Sequence, residues 1–210
     1  MNLFSIYADK WQLIDENFFL MAAILFFAGV FCAPIVVRRQ VSWLMRYPIW
    51  IWGLIKKHID LGAPFLKLWA LIFFLNAFSL FCNAAVGFSI VLPPIFAFLL
   101  GINIAVIALK EMGTLRLAIL ILNPVSVFEL PAAWISLALG MGLGRDLYLN
   151  NYTNAIYLAE RYLMGYFILV LPLLAVAGFI EVLLIKALGR KTASESEFEE
   201  KEARNNERKK

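Results

Sequence analysis

The chain has 210 residues, of which 62% are hydrophobic and 16% charged, with a net charge of +4. A soluble domain carries about a quarter of its residues as charges, and no water-soluble fold could cover this much apolar surface. The composition therefore excludes a soluble globular protein and points to an all-α membrane protein, a bundle of about five transmembrane helices.

Residues 1–17 are mixed in charge and lack the basic stretch of a cleavable signal, so they are expected to form an N-terminal external segment. A hydrocarbon core of about 30 Å needs about 20 apolar residues in a helix. Residues 18–37 supply the first span, stopped by Arg38 and Arg39. The next stretch, 41–58, mixes Trp43, Trp50 and Trp52 with Arg46, Lys56 and Lys57. Aromatic and basic residues interleaved in this way suit the headgroup zone. The stretch is expected to be a cytoplasmic interfacial amphipathic segment bent at Pro48, anchored by those six residues rather than crossing the bilayer.

From Leu66 to Leu109 the sequence is apolar, with Lys67 as its one charge before Lys110. That is too long for one helix, so spans are expected at 66–85 and 90–109. Pro93-Pro94 marks either an external turn or a kink in the later span. Lys110, Glu111 and Arg116 form a short polar hinge around Gly113. Proline is favoured in a first helical turn, so the fourth span is expected at 124–143, beginning at Pro124, with 117–122 as a lead-in and Pro131 as an internal kink. Residues 145–161 read as a polar loop carrying the Asn151-Tyr152-Thr153 glycosylation sequon. The fifth span is expected at 162–187, closing a transmembrane domain over 18–187. Residues 188–210 are too polar to bury a core and read as a disordered charged cytoplasmic tail.

Orientation follows from basic residues near span ends. With the N-terminus outside, Arg38, Arg39, Arg46, Lys56, Lys57, Lys67, Lys110, Arg116, Lys186, Arg190 and Lys191 share the cytoplasmic side, against Lys10, Arg145 and Arg161 outside. Five spans then place the tail in the cytoplasm of a multi-pass cell-membrane protein. The basic clusters suit membrane lipid with anionic headgroups, and no basic, aromatic-interleaved surface suited to nucleic acid is present.

Ionisable residues inside a span are expensive, about 2.5 kcal/mol or more on insertion scales. Glu129 and Glu181 therefore need an explanation. Each is expected about one and a half turns from the cytoplasmic end of its span, within about 10 Å of that boundary at 1.5 Å per residue. Their matched depth suggests an intramembrane polar site that also includes Asn76, Asn83 and Lys67. Such a site is either linked to protons or cations, or is structural, with the acids paired to basic side chains or holding helices together. Asn76 and Asn83 lie seven residues apart, on nearly one face, as interhelical hydrogen-bonding residues would. Gly140, Gly142 and Gly144 suit close helix packing.

Catalytic and metal patterns are missing. His58 is the one histidine, so a two-histidine zinc helix is impossible. No Gly-x-Ser-x-Gly elbow occurs. Cys32 and Cys82 lie in apolar runs as small hydrophobes, with no disulfide framework. The expectation is a non-enzyme with no cofactor.

Residues 123–144, NPVSVFELPAAWISLALGMGLG, carry a Pro-x-x-x-Phe-Glu-x-Pro-Ala string through Pro124, Phe128, Glu129, Pro131 and Ala132. This resembles the signature of the stage II sporulation protein M family, with Val125 and Ser126 where that family usually has His and Gly. The Asn-containing span, the Gly-containing span after it and the Glu181-bearing last span follow the same order. The resemblance covers roughly 65–187. It implies an integral membrane protein of the cell envelope. The sporulation member anchors a peptidoglycan-remodelling machine with a lytic transglycosylase and an amidase. The expected function is a non-enzymatic scaffold or subunit of an envelope complex, in contact with other envelope proteins or further copies of itself. The alternative is a permease-like transport subunit with Glu129 and Glu181 in its polar site.

Overall fold

The computed structural model describes residues 3–58, 62–112, 123–150 and 152–187. Among them, the regular structure is helical throughout: α1 Leu3–Trp11, α2 Glu16–Arg38, α3 Ser42–His58, α4 Phe65–Ala85, α5 Leu92–Met112, α6 Ser126–Leu149 and α7 Ala155–Ala187. Five of these, α2, α4, α5, α6 and α7, are long and apolar enough to cross a membrane. The chain is an all-α, multi-pass membrane bundle, as its composition requires.

Local chemistry explains the boundaries. Asp15 caps α2, its Oδ1 accepting from the Asn17 N–H at 3.0 Å, with Glu16 in the first turn and Arg38 in the last. A 3-10 turn, Val86–Phe88, ends α4. Pro93 and Pro94 then sit in the first turn of α5, where their missing N–H groups go unneeded. The proline pair thus opens the span just after the 89–91 turn and does not kink its interior. Asn123 folds its Oδ1 back on the Val125 N–H at 3.1 Å, and α6 starts two residues past Pro124.

Two bounds differ from the sequence reading. The polar stretch 145–161 is mostly helical: α6 continues to Leu149 and α7 begins at Ala155. Of the residues between, Tyr152, Thr153 and Asn154 form a turn, with Tyr152 and Asn154 at positive φ. The helices extend because Arg145 and Asp146 find charged and hydroxyl partners on neighbouring helices. The lead-in 117–122, the hinge residue Arg116 and the tail 188–210 lie outside the described residues.

The spans alternate in direction, and the contacts follow suit. α2 and α5 run parallel, Ala22 clustering with Ala97 and Val36 with Val106. They cross at two glycines. A Cβ on Gly29 would overlap the Phe98 carbonyl, and one on Gly101 the Phe26 carbonyl. Such close backbone approach is the packing that lipid-embedded helices favour. α6 is the enclosed helix, buried from Ala132 to Gly144 except at Trp134, and touched by α2, α4, α5 and α7. Gly140 and Gly144 let the 3-10 turn at Gly87 approach its backbone, and a Cβ on Gly142 would come within 2.9 Å of the Tyr162 ring.

Candidate intramembrane polar site

α4 carries a row of polar links to its neighbours. Trp69 Nε1 donates to the Ala175 carbonyl of α7 at 3.1 Å. Asn76 Nδ2 donates to Glu129 Oε1 of α6 at 2.7 Å. The Tyr166 hydroxyl of α7 donates to the Ala77 carbonyl, and the buried Ser136 hydroxyl of α6 to the Leu80 carbonyl. Tyr166 belongs to a π-helical turn, Tyr166–Val170, inside α7. The carbonyls of Ala77 and Leu80 already accept within α4, so these hydroxyls use their second lone pairs and leave the helix intact.

Glu129 sits in the first turn of α6, where exposed N–H groups favour a carboxylate. Its partner Asn76 is eleven residues past Phe65, about 16 Å along α4 at 1.5 Å per residue. Glu129 is therefore level with the middle of α4. α6 begins alongside the third turn of α4, a relation that counting from the start of its own span does not reveal. Glu181, on the last turns of α7, lies within electrostatic range of Glu129.

The structure separates the other residues of the expected site. Lys67 is exposed in the first turn of α4 and, among the described residues, makes no ion pair with either acid. Lys186 donates to the Ala63 carbonyl at 2.6 Å, tying the end of α7 to the start of α4. Asn83 is buried two turns beyond Asn76, beside Gly140, and its Nδ2 has no partner among the described residues. The six expected anchors divide as well. Trp43, Arg46, Trp50 and Lys57 are exposed, whereas the Trp52 indole nitrogen is buried toward the bundle; of Lys56, the described part is its place in the helix α3.

A second polar cluster lies at the opposite end of the bundle. Arg145 holds Asp15 at 2.6 Å and Asp146 at 3.0 Å, with its guanidinium 5.2 Å from the centre of the Phe18 ring. The Tyr162 hydroxyl donates to the other Asp146 oxygen at 2.7 Å. Burial alone would raise the Asp15 pKa, but the Asn17 N–H and the Arg145 guanidinium outweigh it and hold the carboxyl below its usual value. The sequence signal for this cluster was present: an N-cap aspartate before an apolar run, and an Arg-Asp pair after a small-residue helix. Neither says which helix brings the partner.

A model of the stage II sporulation protein M family matches residues 19–184. The chain belongs to that family. The match starts inside α2 and ends inside α7, so all five spans are part of the stage II sporulation protein M domain. No curated protein and no solved structure matches the chain. Within the domain the motif residues divide their work. Pro124 lies in the turn ahead of α6, Phe128 and Glu129 in its first turn, and Pro131 just inside it. No group of three or more potential metal-binding His, Cys, Asp or Glu side chains forms among the described residues.

Proposed function

We propose that this member of the stage II sporulation protein M family is a non-enzymatic membrane scaffold, a subunit that organises an envelope complex in the cell membrane. In this reading the N-terminus is outside, the tail is cytoplasmic, and the partners are other envelope proteins or further copies of the chain. The observation that carries it is the Asn76–Glu129 hydrogen bond at 2.7 Å. The intramembrane acid of the family motif is engaged by the protein itself, alongside the Trp69, Ser136 and Tyr166 links of the same helix α4. A polar row of this kind fixes the relative positions of α4, α6 and α7 and so presents constant outer faces to partners. The test is co-purification after mild detergent extraction. Glu129→Gln and Glu181→Gln keep side-chain shape and hydrogen bonding, so both should retain the full partner set.

A second reading, a transport subunit, is favoured by one observation: Glu129 and Glu181 lie within electrostatic range of each other inside the spans. Here the two acids would carry a proton or cation between them, with Asn76 positioning Glu129. Purified protein in liposomes should then show a proton or cation flux that either Gln substitution removes while assembly persists. Flux from the native chain with that sensitivity would replace the scaffold reading.

A further inference from the structure

α2 ends and α4 begins at the same end of the bundle, because α2 runs antiparallel to α6 while α4 runs parallel to it. Phe26 and Phe27 of α2 meet Trp134 of α6, and Phe18 meets Arg145. Along α4, Asn76 and then Leu80 meet Glu129 and then Ser136. The seventeen residues of α3 therefore start and finish at one end and do not cross the bundle. One edge of α3 is packed: Met45 is buried against Ile102, Ala105 and Val106 of α5. The opposite edge is open. Trp43 is 72% exposed, Tyr47 56% and Trp50 58%, with exposed Arg46 and Lys57 in the same i, i+3, i+4 row. Tyr47 and Trp50 lie against each other, ring centres 6.3 Å apart.

The charge of this region is one-sided. Arg38, Arg39, Arg46, Lys56 and Lys57 fall in a stretch from Asn17 to Ile59 that contains no acidic residue. Indole and phenol rings favour the boundary between headgroup and acyl chain, and cations placed beside them meet phosphate oxygens at the same depth. A zwitterionic surface would leave this charge uncompensated.

We propose that the Trp43–Arg46–Tyr47–Trp50–Lys57 face of α3 is a docking surface for anionic phospholipid headgroups, the aromatic rings setting the depth and Arg46 and Lys57 selecting the charge. Trp52 has no part in it, since it faces the bundle. The surface lies beside the spans and is independent of whether the bundle scaffolds or transports.

The test uses the full chain in phosphatidylcholine vesicles, with tryptophan quenching by lipids brominated near the headgroup end of the acyl chain. The signal from this face is the difference between the native chain and Trp43→Phe/Trp50→Phe. Brominated phosphatidylglycerol should quench that component at a several-fold lower mole fraction than brominated phosphatidylcholine. Arg46→Gln/Lys57→Gln should remove the preference, and so should high salt. Lys67→Gln, on α4, should leave it intact. Circular dichroism and thermal melting confirm that each variant is folded. Equal quenching by the two lipids in the native chain overturns the proposal, as does a preference that survives Arg46→Gln/Lys57→Gln. Absence of quenching by either lipid also overturns it, and would mean that protein covers the face.

Discussion

Arg145, near the end of α6, grips Asp15, the N-cap of α2, at 2.6 Å. One side chain thereby fastens the start of the first span to the end of the fourth, and its second contact, Asp146, passes the link to Tyr162 on the fifth. The guanidinium engages two carboxylates at once, one of which carries the link on to the third helix, and a planar fork with several fixed donors suits that task better than an ammonium would.

The pair gives a pH dependence. The Asp15 carboxyl is held below its usual value in the folded state, so its contribution is fully present above the unfolded aspartate pKa of about 3.9. It is lost as pH falls through the lower folded value. Asp15→Asn keeps the cap, because asparagine caps as well as aspartate, and removes only the charge. Thermal melts in detergent should show the native chain more stable than the variant at pH 7, by about 1 kcal/mol or less for a partly exposed pair. The gap should narrow as pH falls below about 3.9 and close once pH passes the lower folded value; a gap unchanged through that fall would show that the charge is irrelevant.

The α2–α5 crossing makes a steric prediction. A Cβ at Gly29 or Gly101 meets a backbone carbonyl, which cannot rotate away. Gly29→Ala or Gly101→Ala should destabilise the bundle by about 1–3 kcal/mol. Gly53, inside α3, is the control. Nothing lies within 4 Å of a Cβ there, so Gly53→Ala should be neutral or stabilising by up to about 1 kcal/mol. Melting temperatures for the three variants decide the matter, and equal behaviour would refute the crossing.

For Asn76 and Glu129 the measurement is a double-mutant cycle. Asn76→Leu alone leaves a carboxyl without its donor, and Glu129→Leu alone leaves the Asn76 amide without its acceptor. Asn76→Leu with Glu129→Leu removes both partners. The interaction energy should be about 0.6–1.7 kcal/mol, the range for hydrogen bonds between membrane helices. A value indistinguishable from zero would mean that the contact does not hold α4 to α6.

Orientation is read by labelling. With Cys32→Ala and Cys82→Ala as background, Thr153→Cys in the α6–α7 turn should react with an impermeant reagent on intact cells. Lys57→Cys, at the other end of the bundle, should react only after permeabilisation. The reverse pattern would invert the proposed topology.

Much of this architecture is legible residue by residue. Arg38-Arg39 and the Asp15 cap bracket α2 because charge and capping are local chemistry. The aromatic-basic pattern of 41–58 separates α3 from the true spans for the same reason. What the sequence hides is relational. The depth of Glu129 depends on where α6 begins against α4, which counting residues within α6 cannot reveal. The helical continuation through Arg145 and Asp146 depends on Asp15 and Tyr162, which come from two other elements. The Gly29–Gly101 crossing likewise needs two separate glycines to coincide in space, and neither is unusual by itself.

The enclosure of α6 bears on how the chain is made. α6 has the least apolar window of the five spans and the largest buried share. Alone at a translocon it gains little from lipid, and its motif prolines and first-turn Glu129 weaken that gain further. By the time α6 emerges from the ribosome, α2, α4 and α5 have already been synthesised, and together they supply packing surfaces and the Asn76 donor for α6. The fourth span thus enters the bilayer by joining its predecessors, and α7, arriving last, closes the wall around it.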